Sequence, residues 1–176
     1  MPCQTLNKGR KLACKGGTGG LKAASFAVYT VSNSITATDG TVATLPAALT
    51  AVYRYELKNA GNTYTEEIVA DPEMRTVVYN GTLALVLQKL DIDTRNEVKM
   101  LTMGEVIIFL EDYNGNVFVI GNEVGAQLTG GNFVTGGARG DMSGANLTFS
   151  TTENEPYLTL STAAKATYEL IAVDGN

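Results

Sequence analysis

The chain contains no histidine, no tryptophan and only two cysteines, Cys3 and Cys14. Without histidine it lacks the commonest general base in enzymes, and two thiols cannot supply the four nitrogen or sulfur ligands of a structural zinc site. The two thiols could close a small loop, or they could stay reduced in the cytoplasm. We therefore expect a protein that is not an enzyme and that holds no cofactor and no metal.

Charged residues are scarce in this chain. They make up 18% of the sequence, whereas typical soluble domains contain about 25%. The net charge of −5 and the pI near 4.7 argue against a protein that grips phosphate groups, because such proteins carry basic patches. An acidic surface would instead let nucleic acid pass without sticking. The low charge content predicts that other subunits cover part of the surface.

Long apolar runs are absent as well. Runs such as Val106–Leu110 have the length of a strand, whereas a membrane-spanning helix needs about 18 or more apolar residues. The first fifteen residues hold four cationic side chains and no apolar core, so nothing resembles a signal peptide. We expect a soluble protein made in the cytoplasm, with no membrane partner. It should have a basic, glycine-rich arm over residues 1–24 and a single β-rich domain over residues 25–176.

Alternating side chains predict the first pair of strands. In Val52–Leu57, two tyrosines and a leucine alternate with Arg54 and Glu56, which predicts a strand with one apolar and one charged face. A turn at residues 59–62 leads to a second β-prone run, Thr63–Val69. The two runs together predict a hairpin.

One helix and several more strands are predicted further along the chain. Thr94 and Glu97 have the spacing of a capping box and Gly104 fits the position after a helix, so we expect a helix over residues 94–103. Eight of the nineteen glycines fall within residues 121–144, which predicts a long, adaptable loop. Further strands are expected at residues 82–90, 105–111, 117–120, 146–149, 157–160 and 167–173, the second and third of these forming a hairpin. The pattern predicts a mainly β fold, a sandwich or barrel of two packed antiparallel sheets with one short flanking helix.

Acidic clusters leave a catalytic alternative open. Glu66, Glu67, Asp71 and Glu73 lie close together in the sequence, as do Asp91 with Asp93 and Glu111 with Asp112. Glycosidases use a pair of carboxylates. No nucleophile–base pattern accompanies them, and such clusters are more often solvated faces or turns. The glycine-rich stretch before Lys22 lacks the spacing of a phosphate-binding loop, so we expect no nucleotide there.

Three features together resemble the major tail tube protein of tailed bacteriophages. The first is the order of elements over residues 52–120, a charged-face hairpin followed by a leucine-rich strand, a helix and a second hairpin. The second is the glycine- and threonine-rich segment Val134–Phe149, which contains a Gly-Asp-x-x-Gly turn and is followed by acidic residues before Pro156. The third is the N-terminus, where the two cysteines and Gly19–Lys22 are similar to virion proteins of phages that infect Bacteroidetes-type hosts.

The resemblance implies two packed β-sheets flanked by a helix and a ring of six subunits around one continuous inner barrel. Rings would stack into a tube in the virion tail, and DNA would pass through it without specific binding. Copies of the chain and other tail proteins would be the partners. On this interpretation Arg54, Glu56 and Glu67 are assigned to the lumen, and Leu21 and Phe133 to contacts between subunits.

Three alternatives belong to other classes of protein. A head–tail connector or capsid-decorating protein would also be a structural virion component, but it would form isolated rings or monomers instead of tubes. A carbohydrate-binding β-sandwich usually displays several exposed aromatic residues, often including tryptophan, which this chain lacks. A hydrolase would depend on the acidic clusters, and substitution of those carboxylates would test it.

Overall fold

The described residues form two β-sheets and two α-helices. A computed structural model describes residues 9–11, 17–57 and 61–175, so Cys3 and Cys14 lie outside the described residues. The sheets contain seven and four strands, which confirms the mainly β class with two packed sheets. Within the part of the chain that is described, neither helix is long and apolar enough to cross a membrane.

The strands of each sheet come from distant parts of the chain. The elements in chain order are β1 (Leu21–Val28), β2 (Thr41–Val42), β3 (Val52–Glu56), β4 (Thr63–Asp71), β5 (Thr76–Gln88), α1 (Ile92–Leu101), β6 (Val106–Asp112), β7 (Val117–Ile120), β8 (Gln127–Val134), β9 (Gly144–Glu153), β10 (Leu158–Leu160), α2 (Thr162–Ile171) and β11 (Ala172–Asp174). The seven-stranded sheet has the order β11-β3-β1-β6-β7-β10-β2, and the four-stranded sheet has the order β4-β5-β9-β8. Only β10–β2 and β11–β3 pair in parallel, and the other described pairs are antiparallel.

The seven-stranded sheet is the middle layer of the molecule. All seven residues of β6 are buried, and a continuous apolar run of this kind is typical of a strand that is covered on both faces. One face of this sheet packs against the four-stranded sheet, where the Phe26 and Phe149 rings lie 5.3 Å apart. The other face packs against α2, where Phe109 stacks on Tyr168 at 5.4 Å. Each such large apolar side chain stabilises the fold by roughly 1.5–3 kcal/mol when fully buried.

Two of the predicted elements are confirmed closely. The hairpin of β6 and β7 forms, with Ile108 opposite Ile120. The leucine-rich strand forms as β5, and its Leu83, Leu85 and Leu87 side chains are all buried in the core between the sheets. β5 begins at Thr76, six residues before the predicted start.

The predicted hairpin of residues 52–57 with residues 63–69 is wrong. β3 pairs with β1 and β11, whereas β4 pairs with β5 in the other sheet. Alternation shows which face of a strand is buried but not which strand lies beside it, so two successive strands were wrongly joined. Leu57, just after β3, is buried and its N–H donates to the Lys22 carbonyl, which holds the chain where it leaves the seven-stranded sheet.

The predicted loop over residues 121–144 is also wrong over much of its length, because β8 occupies residues 127–134 and pairs with β9. One of the glycines that suggested a loop, Gly131, allows a close approach of two strands. A Cβ atom at Gly131 would lie 2.7 Å from the Asn146 carbonyl oxygen, so a larger residue would push β8 away from β9.

The predicted strand over residues 167–173 is mostly helix. The Ser161 hydroxyl accepts a hydrogen bond from the Ala164 N–H at 3.2 Å and caps α2, and only residues 172–174 continue as a strand. The fold therefore has two helices where one was predicted. In α1 the cap is Asp91 in place of the predicted Thr94, because the Asp91 carboxylate accepts from the Thr94 N–H at 2.8 Å.

The first strand begins before the predicted domain boundary at residue 24. β1 begins at Leu21, and Ala23 and Ala24 are fully buried. Alanine in a glycine-rich context gave no strand signal, although in β1 its small side chain suits a tightly packed central position. Residues 21–24 thus belong to the β-rich fold and not to an arm.

Candidate functional site

The outward face of the four-stranded sheet, hereafter the open face, carries mostly short polar side chains. The register places Thr82 between Thr65 on one neighbour and Ser150 on the other. The Thr152 hydroxyl donates a hydrogen bond of 2.9 Å to the Asn80 side-chain oxygen. Cross-strand pairs of uncharged polar side chains of this kind stabilise the sheet.

Charge on the open face is sparse and of one sign. The register assigns to it Thr63, Thr65, Glu67, Val69, Asp71, Thr76, Val78, Asn80, Thr82, Ala84, Val86, Gln88, Gln127, Gly130, Asn132, Val134, Gly144, Asn146, Thr148, Ser150 and Thr152. Among these described residues the charged ones are Glu67 and Asp71, and neither lysine nor arginine occurs. A phosphate backbone near this face would meet no cation that could hold it.

Both outer strands of the four-stranded sheet have a free edge. β4 and β8 stand at the two ends of the strand order, and each pairs with one neighbour within the described chain. They are nine and eight residues long, so each exposes a row of backbone groups able to pair with another chain. β8 carries a bulge at Thr129, where the register with β9 shifts between Leu128 and Gly130.

The three residues assigned to the lumen do not share a face. Glu67 lies on the open face opposite Asn80, and its side chain is exposed. Arg54 and Glu56 lie on β3 of the other sheet, because the predicted hairpin does not form. The grouping of Arg54 and Glu56 with Glu67 on one surface is therefore wrong, and of the three only Glu67 lies on the open face.

Arg54 instead belongs to a partly buried charge cluster around Glu111. Its Nη2 atom lies 2.8 Å from one Glu111 oxygen, and Lys22 Nζ lies 2.6 Å from the other. Asp174 at the end of β11 lies 3.4 Å from Arg54 Nη1. The Glu111 side chain is only 10% exposed, so this cluster joins β1, β3, β6 and β11 at one end of the seven-stranded sheet.

The electrostatics of the cluster favour its charged state. Burial by itself would raise the pKa of Glu111, but the hydrogen bonds from Lys22 and Arg54 outweigh burial and lower that pKa. Burial would likewise lower the pKa of Arg54, and the hydrogen bond and charge of Glu111 raise it instead. The arrangement links strands and gives no reactive group, because each charge is already paired. The sequence singles out Glu111 only as one of a pair of adjacent carboxylates with Asp112, and nothing in it shows that Lys22 and Arg54 are the partners of Glu111.

A second carboxylate, Glu153, is buried at the end of β9. Its side chain accepts hydrogen bonds from the Asn122 and Glu123 N–H groups. Burial raises the pKa of Glu153, and the nearby charges of Glu123 and Glu66 add to this effect. The two backbone donors oppose it, and they show that Glu153 anchors the loop after β7.

The acidic cluster that suggested a hydrolase is divided by the fold. Glu66 and Glu67 are adjacent on β4 and point to opposite faces. The Glu66 carboxylate accepts from the Tyr64 hydroxyl at 3.0 Å and from the Tyr157 N–H at 3.1 Å. Asp71 accepts from the Glu73 N–H and closes the turn after β4. Among the described residues there is also no carboxylate-rich group arranged to hold a metal ion.

The two residues assigned to subunit contacts have different surroundings. Leu21 begins β1 and packs against the core of its own chain. Phe133 lies near the end of β8 and is 53% exposed. It lines a groove of about 420 Å³ with Leu90, Asp91, Ile92 and Arg95, hereafter the Phe133 groove. Phe133 is thus available to another subunit, whereas much of Leu21 is already covered.

Comparisons with protein-family models, curated proteins and solved structures found no match for this chain.

Proposed function

We propose that this protein is a structural subunit that assembles with copies of itself into rings and tubes, as in the tail tube of a tailed bacteriophage. The observation that carries the proposal is the four-stranded sheet, which has a packed inner face, a cation-free polar open face and two free edges. Its partners would be copies of itself and other tail proteins, and its place would be the virion tail.

The free edges supply the lateral contact. Pairing of β8 in one copy with β4 in the next continues the sheet and satisfies both rows of exposed backbone groups. The same contact repeated around an axis is heterologous, so it closes into a ring when the rotation per subunit divides the full circle. The natural twist of β-sheets favours this closure.

The size of the resulting barrel suits a conduit. Six copies, the number that the resemblance implies, would bring twenty-four strands into one barrel, since each copy contributes four. Barrels of about 16–18 strands already enclose an aqueous channel, and the diameter grows with strand number. The open face would line this channel, where hydroxyl and amide groups with Glu67 would hold no phosphate.

A proline at the β8 bulge tests the lateral contact. Thr129 has no register partner on β9, and its hydroxyl donates to the Thr148 carbonyl oxygen at 3.2 Å, a bond that proline and alanine both remove. Thr129→Pro should therefore leave the monomer folded while it disturbs pairing with a new strand. We expect at least a tenfold drop in the assembled fraction by sedimentation velocity. Thr129→Ala is the matched control and should assemble like the parent. Normal assembly of a folded Thr129→Pro protein would rule out the β8 edge as the lateral contact.

A further inference from the structure

The hairpin of β4 and β5 extends beyond the sheet that carries it. β9 ends with Glu153, which lies opposite Tyr79. Residues 69–78, hereafter the hairpin tip, therefore continue as a two-stranded ribbon. Two-stranded ribbons are at best marginally stable by themselves in water. The turn is nevertheless well formed, because the Asp71 carboxylate accepts from the Glu73 and Met74 N–H groups at 2.8 and 3.0 Å.

The hairpin tip exposes apolar side chains that nothing in the described chain covers. Met74 is 77% exposed, Val77 46% and Val69 42%. The register places Val69 and Val77 on opposite faces of the ribbon, so each face carries an exposed apolar side chain. A solvated ribbon with this composition favours contact with another surface, since each buried Å² of apolar area contributes roughly 25 cal/mol.

The Phe133 groove, like the hairpin tip, exposes apolar side chains. Its walls include Leu90 (37% exposed), Ile92 (73%) and Phe133 (53%). Its volume of about 420 Å³ falls within the range of clefts, about 300–1,000 Å³, that bind small ligands. The groove can therefore accept a few side chains but not a folded domain.

The hairpin tip and the Phe133 groove lie at opposite ends of the same strand. The turn precedes Thr76 at the start of β5, whereas Leu90 follows Gln88 at its end. Thirteen residues at about 3.3 Å each separate the two ends by roughly 40 Å. A chain cannot reach its own groove, and a contact between the two surfaces repeats head to tail.

We propose that the hairpin tip of one copy docks into the Phe133 groove of a copy in the next ring. The inference rests on the proposed function and names the contact that stacks its rings. Charges can pair across the contact as well, because the hairpin tip carries Glu73 and Arg75 and the groove wall carries Arg95 and Asp91. Stacking is then directional, with every tip pointing the same way along the tube.

Two complementary variants test the contact. Met74→Asp removes the apolar tip, and Ile92→Asp makes the groove acidic at an exposed position in the first turn of α1, where a carboxylate favours the helix. Each variant alone should form rings with at least a tenfold loss of tubes in negative-stain images. Mixed together, the two kinds of ring should form double rings but no stacks of three or more. The Ile92→Asp ring supplies an intact tip and the Met74→Asp ring an intact groove, and the outer surfaces of the pair carry the two defective sites. Val31→Asp, at an exposed position elsewhere, is the control and should form normal tubes.

The outcomes separate this inference from the proposed function. Tubes of normal length from either variant, or a mixture without double rings, would overturn the stacking contact while rings remain. Loss of the rings themselves would also overturn it, because it would place the contact within a ring. Phe133→Asp repeats the groove test at a second position.

If the parent forms no rings, cross-linking decides the contact independently. Met74→Cys and Phe133→Cys, combined with Cys3→Ser and Cys14→Ser in one chain, should give a ladder of disulfide-linked chains on oxidation of concentrated protein. The corresponding chain with Val31→Cys in place of Met74→Cys should give none. A parent without rings but with the ladder would contradict the proposed function and support the contact. Absence of the ladder would reject the contact as well.

Discussion

At the scale of single residues, charge pattern alone placed side chains on a face but did not reveal their partners. The alternation predicts a charged face for Arg54, yet that face of β3 also carries the fully buried Val52, and Arg54 is held there by Glu111 at 2.8 Å. Glu111 lies 57 positions away in the sequence, and no local pattern encodes a contact of that separation. For Glu67 the sequence pattern is sufficient, because the alternation predicts an exposed side chain and the Glu67 side chain is exposed.

Glu111 provides a pH-dependent prediction. Glu111→Gln should lower the free energy of unfolding at pH 7 by about 1–3 kcal/mol, less than for a fully buried ion pair because Lys22 is half exposed. The pKa of Glu111 is depressed in the fold, so its contribution is present above the ordinary value of 4.5 and is lost as the pH falls through the folded pKa. Urea unfolding at pH 7 and pH 3 should therefore show a difference between parent and variant that shrinks in acid.

Glu169→Gln is the matched control, since that carboxylate is 63% exposed and sits 3.9 Å from Lys165. Its effect should stay within about half a kcal/mol at both pH values. An equal effect of both substitutions, or a Glu111→Gln effect that does not change with pH, would contradict the account of the cluster.

At the scale of elements, periodicity found most strands and failed where long-range packing decided the outcome. β5, β6 and β7 carry clear alternation or apolar runs and were predicted. β8 was missed because its two glycines have the composition of a loop, although Gly131 is needed for the approach to Asn146. α2 was predicted as a strand because Thr167–Val173 holds several β-prone residues, whereas the Ser161 cap and the burial of Tyr168 favour a helix.

The Ser161 cap gives a prediction at this scale. Ser161→Ala should lower the free energy of unfolding by about 1 kcal/mol, because the Ala164 N–H at the start of α2 loses its side-chain acceptor. Thr162→Ala, at the next and exposed position, should have no cost, since alanine is the better helix former. Chemical unfolding measures both. If Ser161→Ala were as mild as Thr162→Ala, the cap would contribute nothing to stability.

At the scale of the whole molecule, the low charge content and the two-faced strands indicated an assembling β protein, but not the surfaces that it would use. Free edges depend on the order of strands in a sheet, and the sequence does not show that β4 and β8 are outermost. The open face likewise combines four strands from two separate regions of the chain, residues 63–88 and 127–153. The hairpin tip was hidden because β5 was predicted to start only at Thr82.

The most direct test of the central claim is electron microscopy of the concentrated protein, with class averages viewed down the particle axis. The account predicts stacked rings with an open central channel, lined by the open face with Glu67 pointing inward. Isolated rings that never stack would favour a connector or decorating protein. A protein that stays monomeric at every concentration, or rings with Glu67 on their outer surface, would contradict the account.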